Sequence, residues 1–150
     1  MLLIEKVLLL KTTDIFQETP EPDLIDTASI AEEIQLDAGM AIFAKGDIGS
    51  CMYVIHTGSV RIHDGEHLLA VLKENDIFGE LSLLDAETRS ASATCAEDCL
   101  LLKLDQEPFY EILAGNANVL KGILKTLSRR LRILDEKSTS LQASLNDHLP

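Results

Sequence analysis

The sequence predicts a mainly β domain with flanking helices. We expect an eight-stranded β-roll (jelly roll, or double-stranded β-helix), with N-terminal helices before it and two C-terminal helices after it. Between Ala31 and Leu104, short β-rich runs alternate with glycine turns, which is typical of β-sandwiches and barrels. Outside this stretch apolar residues recur at helical spacing. We therefore expect N-terminal helices in 1–30, the roll in 31–104, two helices in 105–137, and a helix extension or disordered tail in 138–150.

The N-terminal segment is predicted to form two helices. Leu2–Lys11 fits an amphipathic helix, and Thr19-Pro20 is typical of a capping residue followed by proline, opening a second helix through about Ser29. The first ten residues are apolar, but charged residues at Glu5 and Lys6 interrupt them, which argues against a signal peptide. They are also too few to span a bilayer.

Seven strands are predicted in the middle of the chain, and an eighth is compatible with their spacing. Asp64-Gly65 lies between two alternating runs and is a strong signal for a two-residue hairpin turn. Other glycine turns are expected at Lys45–Gly49 and Thr57-Gly58. The predicted strands are Glu33–Leu36, Ala41–Ala44, Cys51–His56, Ser59–His63, His67–Leu72, Ser90–Cys95 and Cys99–Leu104.

Two helices are predicted after the roll. Asp105 is expected to cap a helix with Pro108 in its first turn that ends at Gly115. A longer helix follows from about Asn118. Its leucines alternate at spacings of four and three, which is a heptad pattern, and they are Leu120, Leu124, Leu127, Leu131, Leu134, Leu141 and Leu145, with Ser138 in the same register. This face either packs on the chain's own roll or forms a parallel homodimer through the 118–145 helix.

The composition and net charge of the chain limit which classes of molecule it is expected to bind. The chain has 150 residues, which suits one domain, and a formal net charge of −12 with a pI of about 4.6. Such a charge repels nucleic acid and anionic lipid at long range, so neither is an expected partner. It also opposes a free anionic ligand, which would have to be held by local donors. The three cysteines lack metal-ligand spacing and indicate reduced thiols in a cytoplasmic protein, or in the cytosolic part of a larger, membrane-associated one.

Binding chemistry is concentrated in segment 78–92, which reads FGELSLLDAETRSAS. Gly79 allows a ligand to approach the backbone closely, and the helical turn that follows presents free N–H groups to an anion. Arg89 offers a planar pair of donors to a phosphate. Glu80 repels a phosphate, so a sugar hydroxyl is its natural partner. The alternatives are a solvated Glu80 at a helix start and an Arg89 in a surface ion pair.

This segment resembles the phosphate-binding cassette of the cyclic nucleotide-binding domain family, which includes catabolite activator-type regulators and kinase regulatory subunits. By that resemblance Glu80 would bind the ribose 2′-hydroxyl and Arg89 the cyclic phosphate. Ser90 and the backbone amides of Leu81, Ser82, Ser90 and Ala91 would complete the phosphate shell. The glycine-bounded turns of 38–58 also match the family pattern, whereas Met40 and Thr88 depart from it, at positions with no expected phosphate contact.

The resemblance also implies which residues cover the nucleobase. Counted from Arg89 without gaps, the base-contacting pair would be Leu134, by apolar contact, and Asp135, by accepting hydrogen bonds. An ionised Asp135 suits either adenine or guanine, and guanine somewhat better, but by family association we expect cyclic AMP rather than cyclic GMP. The alternative is that Asp135 is simply solvated helix surface.

The function predicted from the sequence is a regulatory sensor domain, not an enzyme, in which cyclic nucleotide binding moves the C-terminal helices and so controls an attached or partner effector domain. No nucleophile-elbow serine or other catalytic constellation is present. The spacing of His56, His63 and His67 does not suit a metal site, so no metal or cofactor is expected. Two alternatives are a nucleotide-free interaction domain within a larger protein and a truncated ligand-controlled transcription regulator.

Overall fold

A computed structural model describes residues 1–147 of the chain. Its centre is a β-roll of antiparallel strands, which confirms the predicted fold class. One sheet has the strand order β1-β10-β4-β7 and the other β2-β9-β5-β6, and a short pair, β3-β8, lies beside them. The strands are β1 Glu32–Leu36, β2 Ala41–Phe43, β3 Ile48–Gly49, β4 Cys51–Thr57, β5 Val60–Asp64, β6 His67–Leu72, β7 Ile77–Phe78, β8 Glu87–Thr88, β9 Ser92–Cys95 and β10 Cys99–Asp105.

Strand β4 explains how the roll and the helices share one domain. Its first five residues are all buried, so it reads as a continuous apolar run rather than an alternating one. Tyr53 and Ile55 pack between the two sheets. Met52 and Val54 face the opposite way, into a second core with the helices, because successive side chains in a strand point to opposite faces.

The helices form a layer on the outer face of the first sheet. They are α1 Leu3–Lys11, α2 Ile25–Ile30, α4 Gln106–Gly115 and α5 Ala117–Asp147, with 3-10 turns at Asp14–Phe16 and Glu21–Leu24. Helix α3, Glu80–Leu84, lies between β7 and β8. The rings of Phe16 and Phe109 meet edge to face at 5.8 Å in the centre of this layer, which is a favourable aromatic geometry.

Two predicted helix starts need correction. Thr19 does not cap the second helix, because it is fully buried with its hydroxyl unpaired and lies against Gly122 of α5. The chain instead enters α2 through the 3-10 turn at Glu21–Leu24. Asp105 stands at the start of α4 as predicted, but its carboxylate makes no capping hydrogen bond and lies 3.5 Å from Lys103 Nζ.

The two halves of helix α5 differ in burial. Asn116 begins it, since its side-chain oxygen accepts from the N–H groups of Asn118 and Val119. The first half packs on the N-terminal segment through buried residues that include Ile123 and Thr126. From Leu131 to Asp147 every residue is exposed. The predicted extension over 138–150 is therefore helical to Asp147, and its last three residues lie outside the described residues.

Within residues 1–147, no helix is both long and apolar enough to cross a bilayer.

Candidate functional site

A cavity of about 350 Å³ lies between segment 79–91 and the roll. Its size falls in the range of small-molecule sites. One wall is polar and is formed by residues 79–82 and 87–91, and the other is apolar and is formed by Phe43, Ile62, Ile77 and Phe78. A ligand with one polar and one apolar end therefore matches the two walls.

The polar wall is shaped by a sharp turn at the end of β7. Gly79 has a φ of +77°, the left-handed conformation that glycine adopts most easily, and α3 begins at the next residue. A Cβ on Gly79 would also lie only 2.5 Å from Nη1 of Arg89. Glycine is thus required here both for the turn and for the close approach of the guanidinium.

Arg89 is the central side chain of the cavity wall. It is only 7% exposed, and its guanidinium donates to the Cys51 carbonyl at 2.9 Å and to the Ser82 hydroxyl at 3.1 Å. Its Cζ lies 4.3 Å from the centre of the Phe43 ring. All of these partners are uncharged.

No carboxylate in the described part of the chain forms an ion pair with Arg89. A buried charge without a counter-ion is costly, and it attracts an ion of the opposite sign. The cavity therefore offers a buried cation to an anionic group. Tyr53, which stacks on Phe78 behind the apolar wall, adds no opposing charge, because burial raises the pKa of its phenol above its usual value.

Glu80 lies on the same wall and has a charged neighbour on α5. Its side chain is 26% exposed, and its Oε1 lies 3.8 Å from Nη1 of Arg130. Arg130 is in turn held by Asp14, whose Oδ2 accepts from Nε at 2.8 Å and lies 2.7 Å from Nη2. A chain of charges thus runs from the cavity through α5 to the N-terminal segment.

Sequence reasoning missed Arg130 as a site residue. No sequence spacing reports that a residue 50 positions after Glu80 returns to its side. The adjacent pair Arg129-Arg130, which lies between Leu127 and Leu131 of the heptad pattern, is only a weak signal.

Most of the residues predicted to bind the ligand line this one cavity. They are Gly79, Glu80, Leu81, Ser82, Arg89, Ser90 and Ala91. Among residues 1–147, the amides of Leu81, Ser90 and Ala91 donate to no backbone or side-chain acceptor, so they are available to an anion. The Ser82 amide differs from the prediction, because it donates to the Gly79 carbonyl at 3.1 Å.

Leu134 and Asp135 do not line the cavity in this structure. Leu134 is 60% exposed, and Asp135 is also exposed. The reason is that α5 continues as one helix to Asp147 and all of its residues from Leu131 onward are exposed. The structure therefore brings together the predicted phosphate and sugar residues but not the predicted base residues.

His56, His63 and His67 show no metal-binding arrangement. His63 bonds to the Gly65 carbonyl and to the Thr94 hydroxyl, each at 2.8 Å, so both ring nitrogens are engaged. No cluster of three or more metal-ligating side chains occurs among the residues that the structure describes.

Comparison with known proteins identifies close similarity over most of the chain. The family model described as "Cyclic nucleotide-binding domain" matches residues 33–116. The chain is 38% identical to the "Cyclic AMP receptor protein" of Thermus thermophilus over 76% of its own length. That alignment spans 56% of the relative, so the chain corresponds to little more than half of it.

Solved structures show the same fold. The N-terminal domain of a transcriptional regulator from Streptomyces coelicolor superposes with a TM-score of 0.80 at 28% identity, covering 86% of this chain and 93% of that one. The regulatory domain of Toxoplasma gondii PKA with cAMP superposes with a TM-score of 0.67 at 28% identity, covering 73% and 44% respectively.

Proposed function

This chain belongs to the cyclic nucleotide-binding domain family, and on that premise we propose that it is a regulatory sensor domain that binds cyclic AMP, in preference to cyclic GMP, in the cavity beside Arg89. One observation carries the proposal: Arg89 is a buried cation whose partners are all neutral. A cyclic phosphate supplies the missing negative charge. The names of the Thermus thermophilus relative and of the Toxoplasma gondii structure support cyclic AMP as the ligand.

Each part of the ligand has a suitable partner in the cavity. The phosphate would accept hydrogen bonds from Arg89 and from the free amides of Leu81, Ser90 and Ala91, with the Ser90 hydroxyl as a further donor. The ribose 2′-hydroxyl would donate to Glu80. The base would contact the apolar wall, and Leu134 and Asp135 would reach it only after α5 moves or through a second copy of the chain.

We propose that Arg130 couples ligand binding to α5. A ligand that orders Glu80 also favours the position of Arg130 that lies beside it, and Arg130 is fixed to Asp14 at the other end. By linkage, a ligand that strengthens a contact made in only one position of α5 shifts the equilibrium of α5 towards that position. This movement is the signal that an attached or partner effector domain would receive.

The direct test is isothermal titration calorimetry of the parent chain with cyclic AMP and cyclic GMP. We expect saturable binding of one ligand per chain, tighter for cyclic AMP. An absence of binding to both nucleotides would contradict the proposal and would favour a nucleotide-free interaction domain.

A homodimer through α5 is the second part of the proposal. Leu131, Leu134 and Leu141 are 60–66% exposed although they lie on one heptad seam, and a second copy of the same helix is the partner that matches a heptad. In a parallel pair the g position Arg130 faces the e position Asp135 of the other copy, so opposite charges meet beside the seam.

Analytical ultracentrifugation tests the dimer. Changing Leu131 and Leu134 together to glutamate should give a monomer, because both side chains would be buried in the seam. Ile133→Glu is the matched control, since Ile133 is 43% exposed and lies off the seam. A parent chain that sediments as a monomer at high concentration would exclude this dimer.

A further inference from the structure

The guanidinium of Arg89 is held by Ser82 from within segment 78–92 and by residues that lie outside this segment. We propose that Gly49 of β3 and Cys51 of β4 are positioning residues that aim Arg89 at the ligand phosphate. This inference rests on the proposed function, because it assumes that an anion occupies the cavity. The neighbouring strands therefore share with Ser82 the task of orienting the guanidinium.

Cys51 fixes one end of the guanidinium through two acceptors. Nη2 of Arg89 donates to the Cys51 carbonyl oxygen at 2.9 Å and to the Cys51 Sγ at 3.4 Å. Cys51 is 8% exposed, so these bonds form away from solvent. Because both acceptors are uncharged, they orient the guanidinium without neutralising it, and the positive charge remains available to an anion. A carboxylate at this position would instead compete with the ligand.

Gly49 provides the space in which the guanidinium lies. A Cβ built on Gly49 would overlap Nε and Cζ of Arg89. The backbone of Gly49 is not in the left-handed region, so its conformation does not itself require glycine. The close approach of Arg89 is the feature that does. Gly49→Ala is therefore a specific way to displace the guanidinium at small cost to the fold, because the overlapping atoms belong to the flexible end of a side chain.

Two residues serve as matched controls. Cys95 is buried in the same core as Cys51 but makes no hydrogen bond to Arg89, so Cys95→Val reports the effect of losing a buried thiol alone. Gly115 has no atom near the position of an added Cβ, so Gly115→Ala reports the effect of adding a methyl group alone.

The experiment uses the full chain and measures two quantities. Calorimetry gives the affinity for cyclic AMP, and thermal unfolding gives the stability of each variant. We expect Cys51→Val to weaken binding roughly 5-fold and Gly49→Ala roughly 10-fold, since about one hydrogen bond and the orientation of a charge are lost. Cys51→Ser, which keeps a neutral acceptor, should stay within about 2-fold of the parent. Both control variants should bind as the parent does.

Repeating the variants in an Arg89→Lys background distinguishes a positioning role of Gly49 and Cys51 from a purely structural one. A positioning effect on affinity should disappear there, because lysine has no planar guanidinium to aim, whereas a loss of affinity that comes from damage to the fold should persist. Parent-like affinity for both Cys51→Val and Gly49→Ala would overturn the inference.

A parent chain that binds neither nucleotide would contradict the proposed function, but it would not decide how Arg89 is oriented. The aim of Arg89 is then tested without ligand by NMR of its guanidinium. We expect slow rotation about the Nε–Cζ bond in the parent and faster rotation in Cys51→Val, which keeps the backbone carbonyl acceptor but lacks the Sγ acceptor. Equal rotation in both would overturn the inference on its own.

Discussion

The cavity wall at 79–91 and helix α5 each bring an arginine to the same site, and the two arginines are held in opposite ways. Arg89 is buried and contacts only neutral groups. Arg130 is partly exposed and is paired with Asp14 and Glu80. An uncompensated buried charge gains most when an anion arrives, whereas a compensated charge at the surface exchanges partners at little cost. On the proposed function, Arg89 would supply affinity for the ligand and Arg130 would couple its binding to α5.

The largest expected effect comes from removing Arg89. Arg89→Leu should weaken cyclic AMP binding by at least about 100-fold, because each hydrogen bond to a charged group contributes about 1.5–3 kcal/mol. The same change should leave the free energy of unfolding of the ligand-free chain equal or higher, because a buried unpaired charge is removed. Calorimetry and urea denaturation measure the two quantities. A large loss of stability without ligand would show that Arg89 serves the fold rather than the site.

An intermediate effect is expected from detaching α5 while keeping the cavity wall. An added Cβ at Gly122 would overlap the side chain of Thr19, so Gly122→Val should cost about 1–3 kcal/mol of stability through overpacking. Cyclic AMP affinity should change only a few-fold, because Gly122 does not line the cavity. Urea denaturation and calorimetry test this, with Gly115→Ala as the control. A loss of binding as large as that of Arg89→Leu would mean that α5 is part of the binding site itself.

The smallest expected effect separates two neighbouring arginines on α5. Arg129 and Arg130 both contact Asp14, but only Arg130 reaches Glu80. Arg130→Gln should weaken cyclic AMP binding about 3-fold, as befits a partly exposed ion pair, and Arg129→Gln should not change it. In a Glu80→Gln background the effect of Arg130→Gln should vanish. An unchanged effect in that background would indicate that Arg130 acts on the phosphate directly.

The sequence predicts the parts of this molecule whose signals are local. Seven strands and the main helices follow from periodicity and turn residues, and the predicted ligand contacts at 79–91 lie within one continuous motif. The sequence does not reveal β3, β7 and β8, because each has two residues and no period can be read from two positions. It misplaces the cap at Thr19, because packing against Gly122 decides the position of that side chain.

The rest of the site depends on contacts between distant segments. Cys51 appears in the sequence as an ordinary buried strand cysteine, and only the fold brings its thiol to Arg89. Arg130 reaches Glu80 because α5 crosses the N-terminal segment at Asp14. Conversely, counting from Arg89 predicts Leu134 and Asp135 as base contacts, but a count along the chain cannot report the direction in which a helix leaves the domain. Their role in covering the base remains a prediction.

The most direct test of the account is a crystal structure of the chain with cyclic AMP. We expect the cyclic phosphate within hydrogen-bond distance of the Arg89 guanidinium and the ribose 2′-hydroxyl on the Glu80 carboxylate, with Nη2 of Arg89 still bonded to the Cys51 carbonyl. A nucleotide bound elsewhere, or one in this cavity whose phosphate makes no contact with Arg89, would contradict the central claim.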